Sequence, residues 1–192
     1  MDIVNDWFDT KNILTLTGAI TLEKTSNIAS KMLEFQIKSE LKETTKEPLA
    51  LLINSGGGDI ISALKLCDVI KYVIKKPVKG IVVGSCHSAA TLVLLSCEIK
   101  VCLPHSDFLL HSNSVARVTA STEEELGQLR EDLILTRKTM LSYYEKTLKL
   151  DVVEIEKLMN KGDQTFNRYI SPTEALSIGL VDVIQHENIN IF

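Results

Sequence analysis

Hydrophobic residues recur along the chain in two patterns, short β-branched runs and longer segments with helical spacing. Residues 12–18 alternate apolar and polar side chains as a strand does, and residues 22–41 have the spacing of an amphipathic helix. Residues 49–53 form a second apolar run, residues 60–74 a second helical pattern, and residues 78–83 a third run. Repeated strand-helix units of this kind predict a parallel sheet with crossover helices.

The longest helical pattern runs from residue 122 to residue 148. A candidate capping box at residues 121–124 opens it, because a serine hydroxyl and a glutamate three residues later can satisfy first-turn amides. Its apolar face can pack within the protomer or against another subunit, and the sequence leaves both open. A short helix is predicted at residues 151–159. We expect burial of Ile28, Met32, Phe35 and Ile37 in the first helix; the long helix carries Leu126, Leu129, Leu133, Leu135 and Met140.

The size and charge of the chain limit the classes of protein to which it can belong. Its 192 residues, 45% of them hydrophobic, fit a single globular domain over residues 1–192. The formal net charge is −4 and the lysines are scattered among glutamates, which argues against a nucleic-acid partner. The first residues lack the basic start and apolar core of a signal peptide, and no apolar run approaches the roughly 18 residues of a membrane span. We therefore expect a cytoplasmic protein with no membrane segment.

Four cysteines, Cys67, Cys86, Cys97 and Cys102, lie in apolar strand or helix contexts. They do not have the Cys-x-x-Cys or Cys/His spacing of a metal site. We interpret them as small buried hydrophobes in a reducing compartment. Neither a metal nor an organic cofactor is expected.

A candidate nucleophile lies in residues 82–95, where a β-branched run passes through small residues into an apolar helix. This order places Ser88 where a strand turns into a helix N-terminus. A serine becomes nucleophilic when a base takes its proton, and the unpaired first-turn amides of a helix can stabilise a developing oxyanion. The alternative is that Ser85 and Ser88 only form the N-cap and first turn of a core helix.

Two further stretches supply the other parts of an acyl-transfer site. Residues 49–60 are a strand that ends in three glycines, where backbone amides can approach a substrate closely. Residues 99–111 are two short extended segments that end in His111. His87 and His105 compete with His111 for the role of base. His87 would have to fold back on its own turn, so we expect it at the surface or in the lining, and His105 stands in a proline-containing turn.

Four motifs, in order along the chain, carry a resemblance to a known family. Residues 54–58 read Asn-Ser-Gly-Gly-Gly, residues 84–90 read Gly-Ser-Cys-His-Ser-Ala-Ala, residues 102–111 contain Leu-Pro-His-Ser and Leu-Leu-His, and residues 171–182 contain Ser-Pro-Thr-Glu-Ala and Gly-Leu-Val-Asp. They resemble the oxyanion loop, nucleophile turn, base segment and C-terminal ending of the proteolytic subunit of the Clp (caseinolytic) protease, ClpP, in the crotonase-like group. The resemblance runs from about residue 12 to residue 184.

The resemblance implies an α/β, crotonase-like fold of repeated β-β-α units with a protruding handle helix, the handle region being residues 112–148. It implies a serine endopeptidase that cleaves unfolded polypeptides, with Ser88 as nucleophile and His111 as general base. The backbone N–H groups of Gly58 and Ala89 would form its oxyanion hole. Members of this family act as heptameric rings stacked into a tetradecamer and work with an AAA+ unfoldase, a Clp ATPase. We therefore expect a homo-oligomer of this kind and such a partner.

The third catalytic position departs from the family pattern. Residues 163–171 align with the family's Asp-Thr-Glu-Arg-Asp-x-Phe-Met-Ser segment, which puts Asn167 at the position of the triad aspartate. An asparagine oxygen can accept a hydrogen bond from the histidine Nδ1–H, as in Cys-His-Asn proteases, but it cannot stabilise the imidazolium by charge. We expect Asn167 to complete the triad. The alternatives are that Asp163 or Asp107 orients the histidine and that Asn167 is only a turn residue.

Three other segments depart from the family pattern. Phe166 replaces an arginine that couples the ring contacts to the active site, and residues 112–115 replace a segment that lines the substrate groove. Residues 1–11 are a short N-terminal segment where the family has a longer gate. Three functions therefore remain open: an active peptidase, a weakly active or inactive structural subunit of a mixed ring, and an acyl-CoA enzyme of the crotonase type. An acyl-CoA enzyme would use carboxylates instead of a serine, so the ordered Ser88 and His111 favour the peptidase.

Overall fold

The structure, a computed structural model, describes residues 12–42, 49–111, 122–160 and 168–186. The N-terminal half contains β1 (Ile13–Thr17), α1 (Leu22–Lys42), β2 (Leu49–Ser55), α2 (Ile60–Asp68), a π-helical turn (Val69–Val73), β3 (Val78–His87) and α3 (Ala89–Ser96). The C-terminal half contains β4 (Ile99–Cys102), β5 (Asp107–Leu110), α4 (Glu123–Thr147), α5 (Val152–Asn160), β6 (Arg168–Ile170), α6 (Pro172–Ser177) and β7 (Val183–Ile184). This is the α/β class that the alternating patterns predicted.

The strands form a mixed sheet in which β3 is the organising strand. Neighbouring strands run parallel in the order β1-β2-β3-β4-β7. The first half of β3 pairs with β4, and its last three residues, Ser85 to His87, pair in parallel with β5. Strand β6 adds to β5 in the antiparallel direction. The C-terminal end of β3 therefore pairs with a second, smaller group of strands, β5 and β6, beside the main parallel sheet.

Helix α3 lies in the core because it has no polar face. All eight of its residues are buried, and the sequence Ala-Ala-Thr-Leu-Val-Leu-Leu-Ser offers water only two small hydroxyls. A helix that is apolar all round must be enclosed, and α3 packs against the sheet, α2 and the C-terminal half of α4. The N-terminus of α3 is therefore fixed in place by its surroundings.

Several element boundaries differ from those expected. Strand β3 does not end at Val83 but continues to His87, because its last residues gain β5 as a partner. The helix expected over residues 60–74 becomes π-helical at Val69. The capping box of α4 is one residue later than predicted: the Thr122 hydroxyl accepts from the Glu125 amide and the Glu125 carboxylate accepts from the Thr122 amide.

Burial in the two longest helices also corrects the sequence pattern. In α1, Ile28 and Met32 are buried as expected, but Ile37 is 55% exposed. The neighbouring residue Gln36 is buried instead, and its side-chain Oε1 accepts a 2.7 Å hydrogen bond from the Lys75 amide. Helix α4 buries Met140 and Tyr144, whereas Leu126, Ile134 and Leu135 on its N-terminal half are exposed. None of the helices in the described ranges is both long and apolar enough to cross a membrane.

Candidate active site

Three segments of the candidate site meet at the carboxyl end of the sheet. The glycine run begins directly after β2, Ser88 directly after β3, and His111 directly after β5. Strand β3 pairs in parallel with both β2 and β5, so all three segments leave the sheet at the same edge. Ligands of open α/β sheets bind at this edge. The serine, the glycine loop and the histidine predicted from the sequence thus belong to neighbouring strands.

Ser88 has a strained backbone that the surroundings hold on both sides. Its φ is 53° and its ψ is −126°, the one positive φ among the described residues other than glycine. Such a conformation costs about 1–3 kcal/mol and persists only where neighbouring contacts impose it. The Ser88 amide donates a 2.8 Å hydrogen bond to the Leu109 carbonyl, and the Ser88 carbonyl accepts from the Thr91 amide at 3.0 Å. Ser88 occupies the N-cap position of α3, but its side chain makes no capping hydrogen bond.

The glycine loop lies directly against the Ser88 turn. A Cβ atom on Gly57 would stand 2.7 Å from the Ser88 Cβ, 2.7 Å from the His87 carbonyl oxygen and 3.2 Å from the Ala89 nitrogen. Gly57 is buried and has a φ of +90°. The loop can therefore approach the nucleophile turn only because position 57 has no side chain. Sequence reasoning assigned a role to Gly58 and overlooked Gly57, although the run of three glycines was the signal for it.

The two amides predicted for an oxyanion hole both lie outside regular hydrogen-bond ladders. Gly58 forms an isolated parallel bridge with Ile20, which uses the Gly57 carbonyl (2.8 Å from the Ile20 nitrogen) and the Asp59 amide (3.1 Å from the Ile20 oxygen). The Gly58 N–H takes no part in this bridge. Ala89 is the first residue of α3, and a first-turn helical N–H has no acceptor within its own helix.

Side chains of Asn54 and Ser55 attach the glycine loop to its neighbours. Asn54 Oδ1 accepts a 3.1 Å hydrogen bond from the Ser85 amide, and a Cβ on Gly84 would collide with this oxygen at 2.6 Å. Ser55 Oγ donates to the Gly18 carbonyl at 2.6 Å and accepts from the Gly57 amide at 3.1 Å. The Asn-Ser pair of the motif therefore ties the loop to β3 and to the turn after β1, a role that the sequence alone did not reveal.

The three candidate histidines of this region have different surroundings. His111 is half-buried at the end of β5, and His105 is exposed in the turn before it. His87, expected at the surface or in the lining, has a side chain only 15% exposed; its Nε2 contacts Asp107 Oδ2 and its ring meets the edge of Tyr169 with centroids 5.6 Å apart.

The carboxylate of Asp107 is engaged by His87 and Ser85. Ser85 Oγ donates a 2.9 Å hydrogen bond to Asp107 Oδ1, while Oδ2 contacts His87. The parallel register pairs Ser85 with Asp107 and places His87 on the same face of the strand as Ser85. With both oxygens engaged in this way, Asp107 is a poor candidate for orienting His111. No sequence signal indicated this group, because the register that assembles it joins residues twenty positions apart.

The proposed third catalytic residue, Asn167, lies outside the described residues, as do Asp163, Phe166 and residues 112–115. Strand β6 begins at the next residue, Arg168, which is paired with Leu110. Along the sequence, His111 is the residue directly after Leu110, and Asn167 is the residue directly before Arg168. The orienting role of Asn167 therefore stays a prediction.

Burial favours the neutral forms of the four thiols and of the Tyr144 phenol. Burial raises the pKa of Cys67 and of Cys97 to about 12 and that of Cys102 to about 11. Burial also raises the pKa of Cys86, which precedes His87, and that of Tyr144. In the part of the chain that the structure describes, no three His, Cys, Asp or Glu side chains are grouped closely enough to hold a metal ion.

A cleft of about 340 Å³ lies between β1 and α1 and is separate from this site. Its lining includes Thr15, Lys24, Asn27 and Lys31, and neither Ser88 nor His111 contributes to it. Lys24 extends across its end to the carbonyl oxygens of Thr17 and Ala19. This cleft contributes no residue to the acyl-transfer site.

Comparison with known proteins gives one consistent family. A family model described as Clp protease matches residues 1–188. An ATP-dependent Clp protease proteolytic subunit from Cuscuta reflexa is 29% identical over 182 residues, which cover 93% of this chain and 87% of that protein. The protein with the same description from Lobularia maritima is 28% identical over 182 residues, covering 93% of this chain and 89% of that protein.

Proposed function

Because the chain belongs to the Clp protease family, we propose that it is a serine endopeptidase, the proteolytic subunit of a self-compartmentalised ATP-dependent protease that cleaves unfolded polypeptides to short peptides. The observation that carries the proposal is the strained Ser88. Its backbone is pinned at the junction of β3 and α3, its side chain is not used as a cap, and a glycine loop lies against it. A serine that served only as a helix cap would need neither a strained backbone nor a neighbouring residue without a side chain.

In the proposed mechanism, Ser88 attacks the carbonyl carbon of the scissile bond. Its Oγ–H proton passes to His111 as the new C–O bond forms, and His111 returns the proton to the leaving amine as the C–N bond breaks. Water, deprotonated by the same histidine, then hydrolyses the acyl-enzyme and restores the Ser88 hydroxyl. The hydrogen bond from the Ser88 amide to the Leu109 carbonyl supports these roles, because it couples the serine to β5, the strand that His111 directly follows.

The oxyanion of each tetrahedral intermediate would accept hydrogen bonds from the Gly58 and Ala89 amides. Ala89 follows Ser88 directly, Gly58 follows the glycine that lies against Ser88, and neither N–H is used by the Gly58–Ile20 bridge or by the ladder of α3, which supports their role as donors. Preorganised donors of this kind usually supply the largest single part of the rate enhancement, about 100- to 1,000-fold for one donor. The proposed reaction needs no metal or organic cofactor.

Asn167 is proposed as the residue that orients His111. The pairing of Arg168 with Leu110 supports this, since His111 follows Leu110 in the sequence and Asn167 precedes Arg168. A neutral amide can fix the tautomer but cannot stabilise the imidazolium by charge, so we expect turnover below that of an aspartate-containing site. This position also favours the second candidate function, a weakly active or inactive structural subunit of a mixed ClpP-type ring.

For assembly we propose a homo-oligomer, a heptameric ring stacked into a tetradecamer, with a Clp ATPase of the AAA+ class as the unfoldase. The exposed apolar side chains on the N-terminal half of α4, namely Leu126, Ile134 and Leu135, support a surface that a second ring would cover. Leu126 and Ile134 are eight positions apart and so share one side of the helix, and exposed apolar side chains grouped in a patch mark sites of protein–protein contact.

The test is covalent labelling with a fluorophosphonate probe, read by intact mass and peptide mapping. Wild type should gain one adduct at Ser88 and should hydrolyse a short fluorogenic peptide, and Ser88→Ala should do neither. Ser85→Ala is the matched control, because Ser85 belongs to the same turn but donates to Asp107, so its variant should still be labelled at Ser88. A wild-type protein without an adduct would favour the structural-subunit alternative over the peptidase.

A further inference from the structure

The Ser88 carbonyl is held by a buried relay of hydroxyl groups that begins on α4. Thr91 Oγ1 lies 2.6 Å from the Ser88 carbonyl oxygen and 2.7 Å from the Tyr144 hydroxyl. Thr91 is fully buried and Tyr144 is 1% exposed. Buried polar groups need hydrogen-bond partners, and the Ser88 carbonyl, the Thr91 hydroxyl and the Tyr144 hydroxyl provide such partners for one another.

The direction of the relay follows from the number of protons. A carbonyl oxygen only accepts, so the single Thr91 hydroxyl proton must point to Ser88. Tyr144 must then donate to Thr91, because Thr91 has no second hydroxyl proton. Burial raises the pKa of Tyr144, so its hydroxyl keeps its proton and remains a donor. The relay therefore runs from Tyr144 through Thr91 to the Ser88 carbonyl.

Fixing this carbonyl also fixes a neighbouring N–H group. The peptide bond is planar and trans, so the carbonyl of Ser88 and the N–H of Ala89 point in opposite directions within one rigid unit. A rotation that moved the Ser88 oxygen would move the Ala89 N–H by the same angle. The Ala89 nitrogen faces the Gly57 side of the site, where it lies 3.2 Å from an ideal Cβ position on that glycine.

We infer that Thr91 and Tyr144 are positioning residues that orient the Ala89 amide as an oxyanion donor by holding the Ser88 carbonyl. The inference rests on the proposed function, in which Ala89 and Gly58 bind the oxyanion. It assigns a role to Tyr144 on a helix that contributes no group to the reacting atoms. The relay also explains how Ser88 keeps its unfavourable backbone angles, since both of its peptide groups are bonded to fixed partners.

The experiment compares four variants at matched oligomeric state: Tyr144→Phe, Thr91→Val, Thr91→Ser and Tyr143→Phe. Tyr143→Phe is the matched control, because it removes the same hydroxyl one residue earlier on α4, where the group faces Cys67. Hydrolysis of a short fluorogenic peptide gives kcat and KM. Inhibition by a peptide boronic acid, whose tetrahedral adduct occupies the oxyanion hole, reports on the hole itself.

Thr91→Val should lower kcat about 100-fold and Tyr144→Phe about 10-fold, with KM within about twofold of wild type, since the amide is misdirected but not removed. Boronic-acid affinity should fall by similar factors. Thr91→Ser keeps the hydroxyl and should stay within about twofold of wild type. The double variant Thr91→Val/Tyr144→Phe should match Thr91→Val alone, because residues that act in series are not additive.

Equal kcat and boronic-acid affinity in Tyr144→Phe and Tyr143→Phe would overturn the inference, as would a Thr91→Ser variant as impaired as Thr91→Val. Thermal unfolding of each variant identifies loss of fold, and Thr91→Ser keeps the test decisive if Thr91→Val does not assemble. Failure of the proposed function has a different signature, since wild type itself would then show no adduct at Ser88 and no hydrolysis.

Discussion

Gly57 lies so close to Ser88 that a Cβ atom on the glycine would stand 2.7 Å from the Cβ of the serine. Non-bonded carbon atoms do not approach to that distance, and the φ of +90° at Gly57 is unfavourable for any other residue. Gly57→Ala should therefore push the loop away from the nucleophile turn. We expect at least about a 100-fold loss of peptide hydrolysis, the scale of losing one oxyanion donor.

Gly56→Ala is the matched control for that change. A Cβ at position 56 has nothing within 4 Å, and Gly56 is exposed with an ordinary backbone conformation. Its activity should remain within about threefold of wild type, because alanine fits there without strain. Rates of fluorophosphonate labelling and thermal midpoints should be measured for both variants. Equal labelling of the two would show that the contact between Gly57 and Ser88 has no part in forming the site.

His111 is predicted to be the general base, and the three histidines of the region can be separated by single substitutions. His111→Ala should abolish labelling and hydrolysis, because no other base would accept the Ser88 proton. His105→Ala should leave activity near wild type, since His105 is exposed. His87→Ala should lose its contacts with Asp107 and Tyr169 and keep activity within about tenfold. The assignment fails if His105→Ala or His87→Ala, while folded and assembled, is as inactive as His111→Ala.

Helix and strand positions could be predicted from the sequence because burial repeats with the period of each element. The sequence could not supply the features that depend on contacts between residues far apart in the chain. Strand β3 continues past Val83 where β5 pairs with it, and the polar Gln36 is buried where its side-chain oxygen accepts from the Lys75 amide. The candidate nucleophile and base could be proposed from the sequence because each follows a predicted extended segment. The backbone strain at Ser88 was not predictable, since its cause lies in Leu109 and Thr91.

The buried thiols should make the protein less stable at alkaline pH. In the unfolded chain a cysteine ionises near its ordinary pKa of about 8.5, whereas burial raises the pKa of Cys67 and Cys97 to about 12 in the folded protein. Between these values the unfolded chain binds fewer protons, so the free energy of unfolding falls as pH rises. The slope should be up to about 1.4 kcal/mol per pH unit for each such thiol.

Urea unfolding at pH 7.5, 9 and 10 measures this slope, and Cys67→Ala should reduce it by the share of one thiol. Native protein treated with iodoacetamide at pH 8.5 should also gain adducts far more slowly than the urea-unfolded chain, which should gain four, because the thiolate is the reactive form. Rapid alkylation of the folded protein would show that these thiols are accessible and would contradict the expected alkaline loss.

The exposed apolar side chains of α4 predict a contact between rings. Light scattering or native mass spectrometry should give a heptameric ring or a stacked pair of rings at micromolar concentration. Leu135→Asp, at a side chain that is 65% exposed, should shift a stacked pair toward single rings. Ile37→Asp on α1 is the control, since Ile37 is similarly exposed on another helix. A wild-type monomer at that concentration would contradict the predicted assembly.

Asn167 is expected to give His111 its orientation without giving it a charge, so wild-type turnover should be low and Asn167→Asp should raise it. A carboxylate would stabilise the imidazolium by roughly 1–3 kcal/mol, the scale of a charge-assisted hydrogen bond, which corresponds to about a 5- to 150-fold higher rate. Asn167→Ala should lower turnover below wild type, because the imidazole would lose its orienting partner. Hydrolysis of a short fluorogenic peptide at matched oligomeric state measures all three.

The competing source of orientation is Asp163, since the carboxylate of Asp107 is already engaged by Ser85 and His87. Asp163→Ala is therefore the discriminating variant. If Asn167 orients His111, Asp163→Ala should keep most of the activity and Asn167→Asp should raise it. If Asp163 does so, Asp163→Ala should lose most activity, and Asn167→Asp should help little because it adds a second negative charge beside an existing carboxylate. A large loss in Asp163→Ala together with no response at position 167 would remove Asn167 from the triad.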